Sequence, residues 1–262
     1  MEKMSRIERL FANDKAFIAY LTAGDGGIQH TLEAALALIG GGVNMLEIGL
    51  PFSDPIADGP IIQRAIRRSL AAGTTLADIL WLIKQLRQHS EIPLILFSYF
   101  NPILAALPSN FLSEAKEAGI DGLLLVDCPL EESPLVRQQC LQHEIALIYV
   151  ITPSTTLARI KKIDHAAQGF LYYACRKGTT GMHPTLPDHF QQKIEAIKAV
   201  IHLPLVVGFG ISNQEMAACV LEQADGVVVG SLFVKTLEDG EYPSTLSKLA
   251  RAICPQALIS KA

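Results

Sequence analysis

Eight short apolar runs recur along the chain, over residues 16–22, 44–49, 93–98, 122–127, 145–151, 169–174, 204–208 and 226–230. They are near-continuous stretches of Val, Ile and Leu rather than alternating ones, the pattern of parallel strands covered on both faces. The segments between them carry apolar residues at helical spacing. In 31–39, for example, Leu32, Ala35, Leu36 and Ile39 share one face. Helices are likewise expected over 60–71, 76–88, 111–118, 131–143, 157–164, 189–201 and 214–223. A short helix over 7–11 precedes the first strand, and helical pieces follow the last one to about residue 253.

Eight strands, each followed by a helix, in 262 residues predict an α/β chain folded as a (β/α)8 TIM barrel. To it are added an N-terminal helix and a short helix after strand eight. No linker, low-complexity tract or charge block divides the chain, so 1–262 reads as one domain. The rival, an open doubly wound sheet, wants a glycine-rich GxGxxG turn after strand one. Gly24-Asp25-Gly26-Gly27 is not one.

Composition narrows the functional classes. The chain is 50% apolar and 18% charged with a net charge of −4, which argues against nucleic acid or an anionic membrane as main partner. No apolar run spans a bilayer, and residues 1–10 are charged and amphipathic rather than a signal peptide. Cys128, Cys140, Cys175, Cys219 and Cys254 show no CxxC or metal spacing. They read as reduced, mostly buried thiols of a cytoplasmic protein.

The chemistry concentrates in 44–60. Pro51, Pro55 and Pro60 exclude a helix or central strand from 50 to 60, so a buried strand hands over to a stiff loop and a helix begins near Pro60. Glu47 lies inside the apolar strand, where a charge is costly unless it is paired or working. Asp54 and Asp58 sit on the loop, each in an ordinary turn context. Singly, each carboxylate reads as a solvated or structural residue; Glu47 and Asp58 together on the carboxyl end of a barrel strand and its loop read as a site.

Asp127 and the loop from Cys175 fall on the same face. So do the glycine turns Gly208-Phe209-Gly210-Ile211-Ser212 after strand seven and Gly230-Ser231 after strand eight. Backbone N–H groups there, with the positive end of the following helix, suit a phosphate. No strand lysine suggests a Schiff base, Lys235 falling in the helical piece after strand eight, and no cluster suggests a divalent metal. His165, His183 and His189 read as solvated residues of loops and helix edges. What remains is carboxylate acid/base catalysis on a phosphorylated substrate. Desolvation should push the Glu47 pKa up, while Asp58, on a more polar loop, should stay ionised.

The stretch Leu46-Glu47-Ile48-Gly49-Leu50-Pro51-Phe52-Ser53-Asp54-Pro55-Ile56-Ala57-Asp58-Gly59-Pro60 resembles the signature of the tryptophan synthase alpha subunit family. The likeness extends to the segments at 20–25, 126–129 with Glu131 and Glu132, 176–181 and 208–212, and to Gly230-Ser231. It implies retro-aldol cleavage of indole-3-glycerol phosphate to indole and glyceraldehyde 3-phosphate, without metal or covalent enzyme intermediate. By matching position Glu47 protonates the indole ring carbon, Asp58 accepts from the indole N–H, and Tyr172 stands near the glutamate. Tyr20 takes the place beside the indole where an enteric-type member carries Phe. Gly181, Gly208, Gly210, Gly230 and Ser231 match the phosphate-contacting set.

The resemblance further implies no cofactor in this chain and a pyridoxal-phosphate-dependent beta subunit that receives indole, in an α2β2 assembly whose interface includes the loop at Asp54. The segment 175–184 departs from the family's more usual Ser-Arg-x-Gly-Val-Thr-Gly-Ala pattern. Loops 51–60 and 175–187 are expected to close together, with Asp58 and Thr180 or its neighbours meeting at the lid. Two other readings are a different phosphate-binding barrel enzyme and a catalytically silent activator of a partner. The first leaves the Pro-Phe-Ser-Asp-Pro loop unexplained, and the second leaves a buried carboxylate without a reason.

Overall fold

The computed structural model describes residues 4–107, 110–176, 181, 185–208, 210–240, 243–254 and 259–260. Helix α1 (Arg6–Asn13) opens with a capping box: the Ser5 hydroxyl accepts the Glu8 N–H and the Glu8 carboxylate accepts the Ser5 N–H. Then come β1 (Ala16–Thr22), α2 (Ile28–Gly40), β2 (Met45–Gly49), α3 (Pro60–Ala71), α4 (Leu76–Arg87), β3 (Leu94–Ser98), α5 (Phe100–Ala106), α6 (Phe111–Ala118) and β4 (Gly122–Leu125). The second half runs α7 (Pro134–Gln142), β5 (Ala146–Ile151), α8 (Leu157–Ala166), β6 (Leu171–Ala174), α9 (Phe190–Lys198), β7 (Leu205–Gly208), α10 (Gln214–Gln223), β8 (Gly226–Val229), α11 (Ser231–Glu238) and α12 (Pro243–Ile253).

Each strand pairs in parallel with the next, and β8 pairs with β1, setting Ala16 opposite Gly226 and Ile18 opposite Val228. The result is the expected closed (β/α)8 barrel, with the helix before β1 and the short helix after β8 both present. Side chains alternate between its two faces. Ile18, Met45, Ile95, Leu124, Ile148, Phe170, Val206 and Val228 fill the interior. Ile7 and Phe11 of α1 join that cluster, and the Phe11 and Phe170 rings lie 5.8 Å apart. Helix α1 thus plugs the amino end. The intervening residues, such as Leu21, Leu46, Ile48, Leu94, Leu147 and Val207, pack outward against the helices.

Charges at the amino end are spent on the backbone. Arg87 donates to the carbonyls of Gly119 and Ile92 and to Asp121, which also accepts the Leu94 N–H. Asp164 accepts the N–H groups of His202 and Leu203. Cys128, Cys140 and Cys254 are buried free thiols, and Cys219 is a half-buried one. Among the described residues no helix is long and apolar enough to cross a membrane.

Three expectations need correction. Helix α5 was not foreseen, because Pro102 reads as a breaker; at the third helical position it removes no intrahelical N–H bond. Strand β4 stops at Leu125, and Val126 and Asp127 turn away into the loop. Helix α7 starts at Pro134, a favoured first helical residue, with Glu131 and Glu132 left in the turn before it.

Candidate active site

The carboxyl end of the barrel opens into a cavity of about 320 Å³. Its wall is mostly apolar, including Ile62, Phe97, Val126, Val150, Ile211 and Val228, and it carries Tyr20, Glu47, Asp58, Tyr172 and Arg176. Strand alternation delivers the first of the carboxylates. Met45 faces the barrel interior, Leu46 and Ile48 face the helices, and Glu47 between them faces in, opposite Tyr20 of β1.

Glu47 is 1% exposed, and among the described residues neither carboxylate oxygen has a hydrogen-bond partner. Burial pushes its pKa up to about 8. A salt-bridge role is therefore not what the geometry offers: a structural ion pair would leave those oxygens bonded.

Asp58 is more deeply placed than its loop suggested. It is 3% exposed, and its backbone is fixed by an N–H bond to Pro55 O (3.1 Å) and a bond from Gln63 Nε2 to its carbonyl (2.7 Å). Burial raises its pKa to about 6, against the pull of a 2.7 Å hydrogen bond donated by Tyr99 Oη to Oδ2. The expectation of a polar setting is thus corrected, while ionisation near neutral pH is kept. Between about pH 6 and 8 Asp58 is mostly charged and Glu47 mostly protonated.

The two expected tyrosines both line the cavity. The Tyr20 ring meets Phe97 edge-on at 5.1 Å, and its hydroxyl lies 3.3 Å from Thr22 Oγ1. A β-carbon on Gly49 would stand 2.3 Å from that phenol oxygen, so glycine admits it. Tyr172 stands in the same relation to Gly208, and Gly208 is behind Tyr172 rather than on the cavity wall.

The other glycines of the expected phosphate set do line the cavity. Gly181, Gly210, Gly230 and Ser231 are all on its wall. Gly210 has φ +94°, a conformation that favours glycine. Gly230 caps α11, whose first N–H groups have no intrahelical acceptor. Thr180 and His183 lie outside the described residues.

Other residues fall away from the centre. Asp127 is exposed and accepts the Phe100 N–H at 2.6 Å, capping α5 instead of lining the cavity. Asp54 is exposed on the outer side of its loop, accepting from the Ser53 hydroxyl at 2.5 Å, beside Ile56 with 76% of its surface bare. His165, in the last turn of α8, and His189, at the start of α9, are both exposed, as expected of helix edges. Tyr99 was missed altogether. Its signal was its place one residue past the end of a barrel strand, where side chains reach the working face.

The chain is similar to known proteins over nearly its whole length. Residues 8–257 match the family described as "Tryptophan synthase alpha chain". The chain is 54% identical to the tryptophan synthase alpha chain of Coxiella burnetii (strain CbuK_Q154) over 252 residues, covering 96% of this chain and 98% of that one. It is 47% identical to the alpha chain of Chlamydia felis, covering 97% and 100%. Among solved structures, the alpha subunit of Legionella pneumophila superposes with a TM-score of 0.85 at 36% identity, covering 96% and 99%. A chain from the α2β2 tryptophan synthase complex of Pyrococcus furiosus does so with 0.86 at 38%, covering 92% and 98%. With a match this long and this close, the chain belongs to the tryptophan synthase alpha chain family.

Proposed function

We propose that Glu47 and Asp58 divide the acid and base work of the family's reaction. That reaction is the cleavage of indole-3-glycerol phosphate to indole and glyceraldehyde 3-phosphate. The chain works as a lyase paired with a beta subunit, to which the pyridoxal phosphate belongs, in an assembly of the α2β2 kind known from Pyrococcus furiosus.

The observation that carries the division of roles is a buried Glu47, unpartnered among the described residues, in one cavity with Asp58. Protonated Glu47 gives its proton to the indole ring carbon that bears the glycerol chain. Positive charge then develops at the ring nitrogen, and the Asp58 carboxylate stabilises it by accepting the N–H bond. The carbon–carbon bond breaks as the adjacent glycerol hydroxyl becomes an aldehyde and loses its proton. Glu47 takes that proton back, so the acid is regenerated. The apolar wall excludes water, which strengthens both interactions.

The phosphate is held by backbone N–H groups at Gly181, Gly210, Gly230 and Ser231, with the amino end of α11 supplying positive potential. Gly208 serves this arrangement by admitting Tyr172, and Tyr20 packs beside the indole. Asp54 and Ile56, on the outer side of the same loop, belong to the surface that meets the beta subunit. The buried thiols suit the reducing cytoplasm.

Indole release from indole-3-glycerol phosphate, with and without the beta subunit, tests the assignment. Glu47→Gln and Asp58→Asn should each lose most turnover. Parental turnover in either variant would overturn that residue's role, and a parent inactive in both settings would favour a silent activator.

A further inference from the structure

Tyr99 stands one residue beyond β3, is 2% exposed and does not line the cavity. Among the described residues, its side-chain hydrogen bonds and its ring pairing nevertheless go to the loop after β2. The hydroxyl donates to Asp58 Oδ2 at 2.7 Å and lies 3.0 Å from the Ala57 nitrogen, whose N–H it accepts. The ring centroid lies 5.4 Å from that of Phe52. A phenol has one proton, so these bonds fix its direction: the backbone N–H takes a lone pair, and the proton is committed to the carboxylate.

The post that carries this phenol is itself braced. The Tyr99 carbonyl accepts the Ser98 hydroxyl at 2.8 Å, and the next N–H, on Phe100, is held at 2.6 Å by Asp127. The ends of β3 and β4 are thereby joined to the loop through one side chain.

We propose that Tyr99 is a positioning residue for the reaction, one that aims the Asp58 carboxylate and ties its loop to the end of β3. The proposal rests on the role given to Asp58 above. With Oδ2 engaged by Tyr99, Oδ1 is left for a donor on the substrate. Among the described residues Tyr99 supplies the side-chain hydrogen bond that the carboxylate receives. Tyr20, Glu47, Tyr172 and Arg176 are the other ionisable groups on the cavity wall, and Asp127 lies beyond Tyr99. Without the phenol proton, Asp58 would be free to rotate and harder to ionise.

Tyr99→Phe keeps the ring against Phe52 and removes one oxygen. In the full chain assayed with its beta subunit, turnover should fall about ten- to hundred-fold, as expected for loss of a hydrogen bond to a charged group. KM should stay within about threefold, because the aim of the carboxylate counts most in the transition state. The acid limb of the kcat/KM profile should move to higher pH by about one unit. Adding Tyr99→Phe to Asp58→Asn should cost less than about twofold more, since both act through one carboxylate. An unmoved acid limb, or losses that multiply in the double variant, would make Tyr99 a packing residue and overturn the proposal. Parental turnover in Asp58→Asn alone would overturn the role of Asp58 with it, and so separates the two failures.

Discussion

The phenol oxygen of Tyr172 lies 2.0 Å from where a β-carbon on Gly208 would stand. Glycine at the end of β7 is therefore a condition for the shape of the cavity wall on β6. Gly208→Ala must push the Tyr172 ring, which is 6% exposed, toward the cavity that it lines. Turnover should fall at least tenfold, and stability by about 1–3 kcal/mol, the usual range for overpacking. Steady-state kinetics and urea melts on one preparation check both, and parental kinetics would show that the ring gives way outward.

The two carboxylates set a pH window. On the proposed roles, reaction needs Asp58 charged, with a pKa of about 6, and Glu47 protonated, with a pKa of about 8. The kcat/KM profile should be bell-shaped, with limbs near those values and its top near neutrality. Residual activity in Glu47→Gln should lack the basic limb. A basic limb that survives in that variant would assign it to another group.

Glu47→Gln should also lower turnover by about 10²–10⁴-fold or more, the range for a general acid/base, while substrate affinity stays close to parental. Its effect on stability depends on pH. The folded-state pKa is raised from 4.5 to about 8, so the folded chain holds a proton that the unfolded chain has already lost. Stability from this group is full below 4.5 and declines as pH rises through about 8. Glu47→Gln should thus match the parent at low pH and exceed it above pH 8. Thermal melts across that range decide, and a variant less stable than the parent at high pH would revive the salt-bridge reading.

Gly230→Asp should weaken binding of glycerol phosphate by more than about tenfold. A β-carbon there would already stand 3.3 Å from Tyr20 Cβ, and the added carboxylate would set negative charge at the amino end of α11. Calorimetric titration measures it. Equal affinity in the variant would show that the phosphate sits elsewhere.

Asp164 offers a control remote from the chemistry. Burial alone would raise its pKa, but the N–H groups of Leu203 and His202 and the His202 side chain outweigh that and hold it below the ordinary aspartate range. Stability from this carboxylate is present above that range and is lost as pH falls through it. Asp164→Ala should cost about 1–3 kcal/mol near neutrality, for two backbone donors left unpaired. Turnover per folded molecule should be unchanged.

The strands were legible because burial on both faces leaves them almost wholly apolar, and β1 runs over the residues that its pattern marked. Glu47 was legible for the same reason in reverse, as a charge in the interior of such a run. Asp58 was half legible: its turn chemistry showed a loop, but its burial depends on Tyr99 reaching across from another strand. Tyr99 was marked by its place just past a strand and by nothing else, and a tyrosine there reads the same whether it packs or aims a carboxylate. The glycines divide likewise. Gly210 and Gly230 were marked as backbone positions for a phosphate and both line the cavity, whereas the need at Gly208 is set by a side chain from β6.

The pairing of β1 with β8 has a consequence for how the protein is made. It joins the first strand to the last, and just before β1 the Lys15 N–H is bound at 2.8 Å by the carbonyl of Ile259. One edge of β1 therefore lacks its partner until nearly the whole chain has left the ribosome. A pairing between segments so remote gains nothing until the intervening chain has been drawn together, so this seam closes slowly. Until then an apolar strand shows a row of open N–H and C=O groups, a template for any neighbouring chain. A stalled or shortened product is thus an unsealed sheet that recruits its neighbours, not a smaller enzyme.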